Sequence, residues 1–127
     1  MSRDYPEGYL ERKVKAELRK RMRALRNTTP ASICAKRSEA IVTALLEEPA
    51  VQKAEVIALF YPMEEKHEVD LRPLDAALRA RGARVAYPSI DPDTREMVFR
   101  EAPLDALEER GLGFAEPPAA APAAAAP

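Results

Sequence analysis

The sequence contains very few of the residues from which most catalytic and metal sites are built. Its 127 residues include a single cysteine, Cys34, and a single histidine, His67. These counts exclude a disulfide framework, a zinc site made of Cys and His, and every Ser-His or Cys-His catalytic pair that does not use His67. Any chemistry must therefore depend on lysine, arginine, carboxylate and tyrosine side chains.

The chain also lacks a large net charge and long apolar runs. Its 20 Lys and Arg residues are balanced by 21 Asp and Glu residues, so the formal net charge is −1 and no overall field attracts nucleic acid or an anionic membrane. No run of about 18 apolar residues occurs, and the N-terminus lacks the apolar core of a signal peptide. We therefore expect one cytoplasmic domain with no membrane partner.

Positive charge is nevertheless concentrated on the first predicted helix. Residues 11–26 contain eight basic and two acidic side chains, a local charge of +6. Apolar residues recur every three or four positions, which predicts an amphipathic helix with a buried stripe. The stripe consists of Leu10, Val14, Leu18, Met22 and Leu25.

The basic face of this helix is the first candidate site. Lys15, Arg19, Arg23 and Arg26 share the face and together could contact one polyanion. A solvated helix face is the simpler interpretation. No aromatic residue is interleaved with these cations, which disfavours nucleic acid as the partner.

The middle of the chain predicts a strand, a helix and a second strand. Residues 56–61 form an apolar run typical of a strand covered on both faces, and residues 84–88 are the next predicted strand. Between them, Asp70 is expected to cap a helix that ends at Arg81, before Gly82. A βαβ unit has parallel strands, so we predict an α/β fold with a partly parallel sheet and flanking helices.

Weaker patterns predict the remaining elements. Thr29 is the predicted N-cap of a second helix that reaches residue 48, with Pro30 in its first turn. Residues 97–100 are a predicted strand, and residues 104–110 one or two helical turns. We expect residues 1–116 to form the folded part. Residues 117–127 are only Ala and Pro, which predicts an extended or disordered tail.

The loop after the first strand is the second candidate site. It follows the carboxyl end of a strand, where ligands bind in open α/β sheets. Glu68 stands in this loop, although a solvated carboxylate is the simpler local explanation. His67 is expected to face solvent, and Cys34 to be a small buried apolar residue.

Six short segments occur in a characteristic order along the chain. They are Lys15-Ala-Glu-Leu-Arg19, Val56–Tyr61, Glu68-Val-Asp70, Gly82-Ala-Arg-Val-Ala-Tyr-Pro88, Met97-Val-Phe99 and Gly113-Phe-Ala-Glu-Pro117. Their order resembles the 5-formyltetrahydrofolate cyclo-ligase family, also called methenyltetrahydrofolate synthetases. The resemblance implies ATP-dependent closure of 5-formyltetrahydrofolate to 5,10-methenyltetrahydrofolate with Mg²⁺, by a monomer. It also implies the fold shared with ribose-phosphate isomerases and CoA transferases.

The resemblance assigns four site residues. Lys15 and Arg19 match the ATP-contacting Lys and Arg of the family, although an alignment through residues 23–25 places Glu11 and Lys15 there instead. Tyr61 and Glu68 match folate-contacting positions, with Glu68 hydrogen-bonded to pterin nitrogens. The loop is about one residue longer than is usual in the family, so Glu65 is the alternative to Glu68. No catalytic residue and no metal ligand are assigned.

One part of the family pattern is missing. The family has a Gly-rich segment, G-x-G-x-G-Y-Y-D-R, whose backbone N–H groups would hold phosphates. The four glycines of this chain, Gly8, Gly82, Gly111 and Gly113, form no such segment. We therefore expect an incomplete sheet and a chain that is inactive alone. The alternatives are a noncatalytic RNA- or polyanion-binding module, and a degenerate homologue that binds only folate or a partner subunit.

Overall fold

The computed structural model describes residues 5–124, and this part of the chain is a mixed α/β structure. Its helices are α1 (Tyr9–Thr28), α2 (Ala31–Glu47), α3 (Pro49–Lys53) and α4 (Arg72–Ala80), with short 3₁₀ turns at Glu64–Lys66 and Leu104–Ala106. Its strands are β1 (Val56–Ala58), β2 (Arg84–Ile90), β3 (Met97–Glu101), β4 (Glu108–Glu109) and β5 (Ala115–Glu116). None of the helices in this range is long and apolar enough to cross a bilayer.

The main sheet has the order β1-β2-β3. Strand β1 is parallel to β2, with Ile57 opposite Val85, which confirms the predicted βαβ unit. Strand β3 is antiparallel to β2. The first strand ends at Ala58, earlier than predicted, and Phe60 beyond it is 42% exposed. The expectation of cover on both faces was therefore wrong: none of the three residues of β1 is fully buried, and Ala58 is exposed. Within residues 5–124, β1 is also an edge strand that pairs with β2 only.

The core lies between α4, α2 and the main sheet. Leu74 and Leu78 of α4 pack with Val85 of β2 and Val42 of α2 in one buried cluster. Burial of each such side chain contributes about 1.5–3 kcal/mol. These contacts fix the crossover helix on the sheet and so set the position of the loop that precedes it.

The local signals at both ends of α4 act close to the predicted positions. The helix begins at Arg72 with Leu71 as its N-cap, so the prediction of Asp70 as the cap was wrong by one residue. The Asp70 carboxylate nevertheless accepts the Arg72 N–H at 3.0 Å. At the other end Gly82 has a φ of 92°, its N–H bonds to the Arg79 carbonyl at 2.9 Å, and the next N–H bonds to the Leu78 carbonyl at 3.0 Å. This Schellman motif turns the chain directly into β2.

A buried polar network joins α4 to β2. The Tyr87 hydroxyl donates to Asp75 Oδ2 at 2.5 Å, and Arg79 Nε donates to Asp75 Oδ1 at 2.8 Å. Arg79 also donates to the Ala102 carbonyl at 2.5 Å, just after β3. Burial, and then the hydrogen bond to Asp75, raise the pKa of Tyr87 far above its ordinary value of 10.0. The carboxylate thus ties helix and sheet together inside the core.

The predicted N-cap of α2 was wrong. The Thr29 hydroxyl donates backwards to the Leu25 carbonyl at 2.7 Å, and its N–H bonds to the Arg26 carbonyl at 3.3 Å. Thr29 therefore closes α1, whose last carbonyls need donors. Pro30 is the residue that precedes the first turn of α2.

The apolar stripe of α1 is not buried within the described chain, contrary to expectation. The helix itself forms as predicted, but its five stripe residues are 54–61% exposed and none of its side chains is buried. The main tertiary contact of α1 is with the turn at Glu64–Lys66. The sequence pattern predicted the helix correctly, but it could not show whether another element packs on the apolar face.

Two segments near the C-terminus differ from the predictions or extend them. Helical turns were predicted for residues 104–110, but only residues 104–106 are helical. The following strand β4 pairs antiparallel with β5, so the prediction was wrong for the rest of this segment. Residues 118–124 belong to the expected tail and include an extended stretch beside β3. The Glu101 N–H bonds to the Pro122 carbonyl, and the Ala124 N–H bonds to the Phe99 carbonyl, both at 2.8 Å. Residues 125–127 lie outside the described range.

Candidate functional site

A cavity of about 350 Å³ lies between the C-terminal part of α1, helix α2 and the loop that leads to α4. Glu68 of this loop lines it, together with Arg26 of α1 and Arg37 of α2. Within residues 5–124, Glu68 forms no ion pair and no side-chain hydrogen bond. Its carboxylate is therefore available to donors of a ligand, next to two cations that favour an anionic group.

The loop carrying Glu68 is held by its neighbours on both sides. The backbone N–H of Asp70 donates to the buried Ser38 hydroxyl of α2 at 3.0 Å. The Arg72 guanidinium donates to both carboxylate oxygens of Asp70, at 2.9 and 3.1 Å. The hydrogen bond from Arg72 holds the pKa of Asp70 below its ordinary 3.8, although partial burial opposes the shift. These contacts fix the backbone two residues from Glu68.

His67 is not the solvent-facing residue that was expected. It is half-buried with a left-handed φ of 52°, and its Nδ1 lies 2.9 Å from the Arg26 carbonyl and 3.9 Å from the Cys34 sulfur. A carbonyl only accepts, so Nδ1 carries a proton and cannot take one from the thiol. In this arrangement Cys34 and His67 therefore do not form a nucleophile–base pair. His67 instead caps the end of α1.

Tyr61 is the second predicted folate contact. Its half-buried ring packs against the core cluster, and Arg72 Cζ lies 5.8 Å from the ring centroid, a cation–π geometry. Tyr61 does not line the Glu68 cavity. The structure thus brings the two predicted folate contacts to one loop but not into one cavity.

Lys15 and Arg19 are exposed on α1, one turn apart. Neither forms an ion pair among the described residues, and neither lines the Glu68 cavity. Arg26 of the same basic face does line it, roughly 10 Å further along the helix axis than Arg19. The two parts of the predicted site are therefore separate in the described chain.

Arg37 was missed as a candidate by the sequence reasoning. It lines the cavity with Cys34 and Ile41 of the same helix, and these residues are spaced three and four positions apart. That spacing places them on one helix face. A helical projection of α2 would therefore have shown a cation beside the apolar face. Across residues 5–124, no group of three or more His, Cys, Asp or Glu side chains is placed to hold a metal ion.

Comparison with known proteins gives one family and two structural neighbours. The 5-formyltetrahydrofolate cyclo-ligase family model matches residues 11–126. The 5,10-methenyltetrahydrofolate synthetase of Aquifex aeolicus is similar, with a TM-score of 0.73 and 24% identity over 87% of this chain and 55% of that chain. The 5,10-methenyltetrahydrofolate synthetase of Mycoplasma pneumoniae is also similar, with a TM-score of 0.51 and 27% identity over 69% of this chain and 53% of that chain.

The two neighbours support the fold and also differ in length from this chain. The match to the Aquifex protein includes the mixed α/β arrangement of sheet and helices described above. This chain spans about half the length of either neighbour. No curated protein sequence matches it significantly.

Proposed function

The chain belongs to the 5-formyltetrahydrofolate cyclo-ligase family, and we propose that it serves the ATP-dependent conversion of 5-formyltetrahydrofolate to 5,10-methenyltetrahydrofolate. In the reaction that the family resemblance implies, the formyl oxygen attacks the γ-phosphorus of ATP and ADP leaves. N10 then attacks the activated formyl carbon, which closes the ring and releases phosphate. The observation that supports the proposal best is the family match over residues 11–126, combined with an unpaired Glu68 in a cavity bordered by cations.

Within this proposal Glu68 binds the pterin. A carboxylate that makes no contact with protein donors can accept hydrogen bonds from ring N–H groups, and charge-assisted bonds of this kind are the stronger ones. Tyr61 is proposed to contact the folate from the same loop. The fixed backbone at Asp70 keeps Glu68 in place, so little ordering is needed when the ligand binds.

Lys15 and Arg19 are the proposed contacts of the ATP phosphates. Both are exposed, and they lie at a spacing that lets two cations reach one phosphate chain. Their distance from the Glu68 cavity supports the further proposal that the chain alone is inactive. No group of three or more acidic, His or Cys side chains in residues 5–124 is placed to hold a metal ion. We therefore assign Mg²⁺ to none of these residues, and in the proposal it would be held mainly by the ATP phosphates.

The first experiment measures folate binding without ATP. Calorimetry with 5-formyltetrahydrofolate compares the wild type with Glu68→Gln and with Glu65→Gln, a matched change of an exposed carboxylate in the same loop. Loss of a hydrogen bond to a charged group costs about 1.5–3 kcal/mol, so Glu68→Gln should weaken binding roughly tenfold or more. Equal affinities of all three proteins would remove Glu68 from the site, and weaker binding by Glu65→Gln alone would assign its role to Glu65.

The second experiment measures the reaction. We expect no ATP hydrolysis dependent on 5-formyltetrahydrofolate from this chain, and recovery of hydrolysis in a longer chain that carries the Gly-rich segment. Continued inactivity of the longer chain would count against the assignment. A cytoplasmic location and a monomeric state remain predictions of the same proposal, which fractionation of cells and sedimentation of the purified chain can test.

One observation favours a second candidate function. Helix α1 has no buried residue and carries a local charge of +6 over residues 11–26, as a noncatalytic RNA- or polyanion-binding helix would. Several phosphate contacts make affinity fall steeply with salt. Titration with a generic oligonucleotide at increasing salt tests this candidate, and a weak, flat response would remove it.

A further inference from the structure

Strand β3 lies at one edge of the main sheet, and residues 118–124, here called the strap, run along its outer side. The Glu101 N–H donates to the Pro122 carbonyl, and the Ala124 N–H donates to the Phe99 carbonyl, both at 2.8 Å. These are backbone bonds of the kind that join neighbouring strands. The strap therefore occupies the place of a further strand beside β3.

The strap has a defined position on the molecule. The chain first contacts β2, where the Ser89 hydroxyl donates to the Pro117 carbonyl at 3.4 Å. Arg100 Nη1 of β3 then donates to the Ala121 carbonyl at 2.8 Å. An antiparallel bridge joins Arg100 and Ala123. The strap is thus attached by side chains of the sheet as well as by the backbone of β3.

The strap uses only part of the outer edge of β3. Alternate residues of a strand direct their backbone groups to the same side, so Met97 shares this edge with Phe99 and Glu101. The N–H groups of Met97 and Phe99 make no bond to the strap. Pro122 has no N–H, so its pairing with Glu101 has one bond where an ordinary antiparallel pair has two. The strap is therefore a weaker partner for β3 than a regular strand.

The side chains of this edge favour a second copy of the chain as the alternative partner. Met97 and Phe99 are 57% and 39% exposed, and an edge with exposed apolar side chains is a template for pairing with another chain. In a two-fold antiparallel pairing centred on Phe99, Met97 of each copy lies opposite Glu101 of the other, so the edge is self-complementary. Such a pairing forms about six backbone bonds, against the two that the strap makes.

We propose that the strap closes the β3 edge within one molecule, and that this edge pairs with the β3 edge of a second copy when the strap is released. The resting chain is then a monomer, and a dimer forms only when both copies are open. Because the open fraction of each copy scales the affinity, a roughly tenfold larger open fraction raises the dimer association constant about hundredfold. The proposal does not depend on the cyclo-ligase assignment.

Sedimentation equilibrium and amide hydrogen exchange on the full 127-residue chain test the strap. Ala124→Pro removes the N–H that donates to the Phe99 carbonyl. Ala123→Pro is the matched control, since the Ala123 N–H makes no backbone hydrogen bond among the described residues. We expect Ala124→Pro to dimerise about hundredfold more tightly than the wild type and the control. Its Glu101 amide should exchange about tenfold faster than theirs, because the strap opens more often.

Two substitutions added to the Ala124→Pro chain test the surface and its register. Phe99→Lys places two lysines directly opposite each other across the two-fold axis, so it should abolish the dimer. Met97→Lys adds the same charge opposite Glu101 of the other copy, and the dimer should persist within about threefold. Each of four results would overturn the proposal: a monomeric Ala124→Pro chain, equal effects of Ala123→Pro and Ala124→Pro, a wild type that dimerises as tightly as Ala124→Pro, or equal effects of the two lysine substitutions.

Discussion

Removal of the Tyr87 hydroxyl should destabilise the protein by a measurable and calculable amount. The hydroxyl donates at 2.5 Å to Asp75, and the two side chains are 1% and 2% exposed. In Tyr87→Phe, Asp75 Oδ2 keeps only the 3.3 Å contact with Arg79 Nη2. A lost hydrogen bond to a buried charged group costs about 1.5–3 kcal/mol, which is a large share of a total stability of about 5–15 kcal/mol.

The assay is urea unfolding followed by circular dichroism, with Tyr9→Phe as a control whose hydroxyl has no hydrogen bond among the described residues. We expect a loss of about 2 kcal/mol for Tyr87→Phe and less than about 0.5 kcal/mol for the control. In an Asp75→Asn background the cost of Tyr87→Phe should shrink, because the charged acceptor is gone. A cost for Tyr87→Phe no larger than that of Tyr9→Phe would refute this account of the network.

The same network predicts a dependence of stability on alkaline pH. The pKa of Tyr87 is raised in the folded state above its ordinary value of 10.0, so the stability that it contributes is complete below about pH 10 and is lost as the pH rises above that value. Wild-type stability should therefore fall above pH 10 more steeply than that of Tyr87→Phe. Parallel curves for the two proteins would contradict the sign of this linkage.

Three further predictions concern packing, backbone and acid stability, each measured by urea unfolding. Leu78→Ala should lower the free energy of unfolding by about 2–5 kcal/mol because its side chain is buried in the core. Leu18→Ala on the exposed stripe should lower it by less than about 0.5 kcal/mol. Similar losses for the two variants would refute the described packing. Gly82→Ala should cost about 1–2 kcal/mol, because a Cβ there meets open space and only the positive φ opposes it. Asp70→Asn should cost about 0.5–1 kcal/mol at neutral pH, and this difference should vanish as the pH falls below the lowered pKa of Asp70.

The features that the sequence predicted correctly are those that local patterns specify. Gly82 after an amphipathic segment defined the end of α4, and the apolar residues 84–88 defined the strand after it. These signals act within a few residues of chain. The family match over residues 11–126 then confirmed the resemblance that rests on the order of such segments.

The features that were missed depend on contacts between distant residues. No local pattern shows that Glu116 will bond to the backbone of Ile90, 26 positions away, or that His67 will reach the Arg26 carbonyl, 41 positions away. The β4 and β5 strands are two residues each, too short to show alternation. Glu68 was chosen from the position of its loop after a strand and from the resemblance, but its place in a cavity with Arg37 depends on the packing of three separate elements.

The exposure of α1 has a consequence for the dynamics of the chain. Helices in proteins gain most of their stability from tertiary packing of their apolar face, and α1 has no buried residue. Its amide protons should therefore exchange with solvent through local opening, at free energies well below that of global unfolding, while amides of β2 exchange only when the core opens. In solution the protein would then behave as two cooperative units. One is a core whose amides exchange slowly, and the other is a helix that repeatedly unwinds and re-forms.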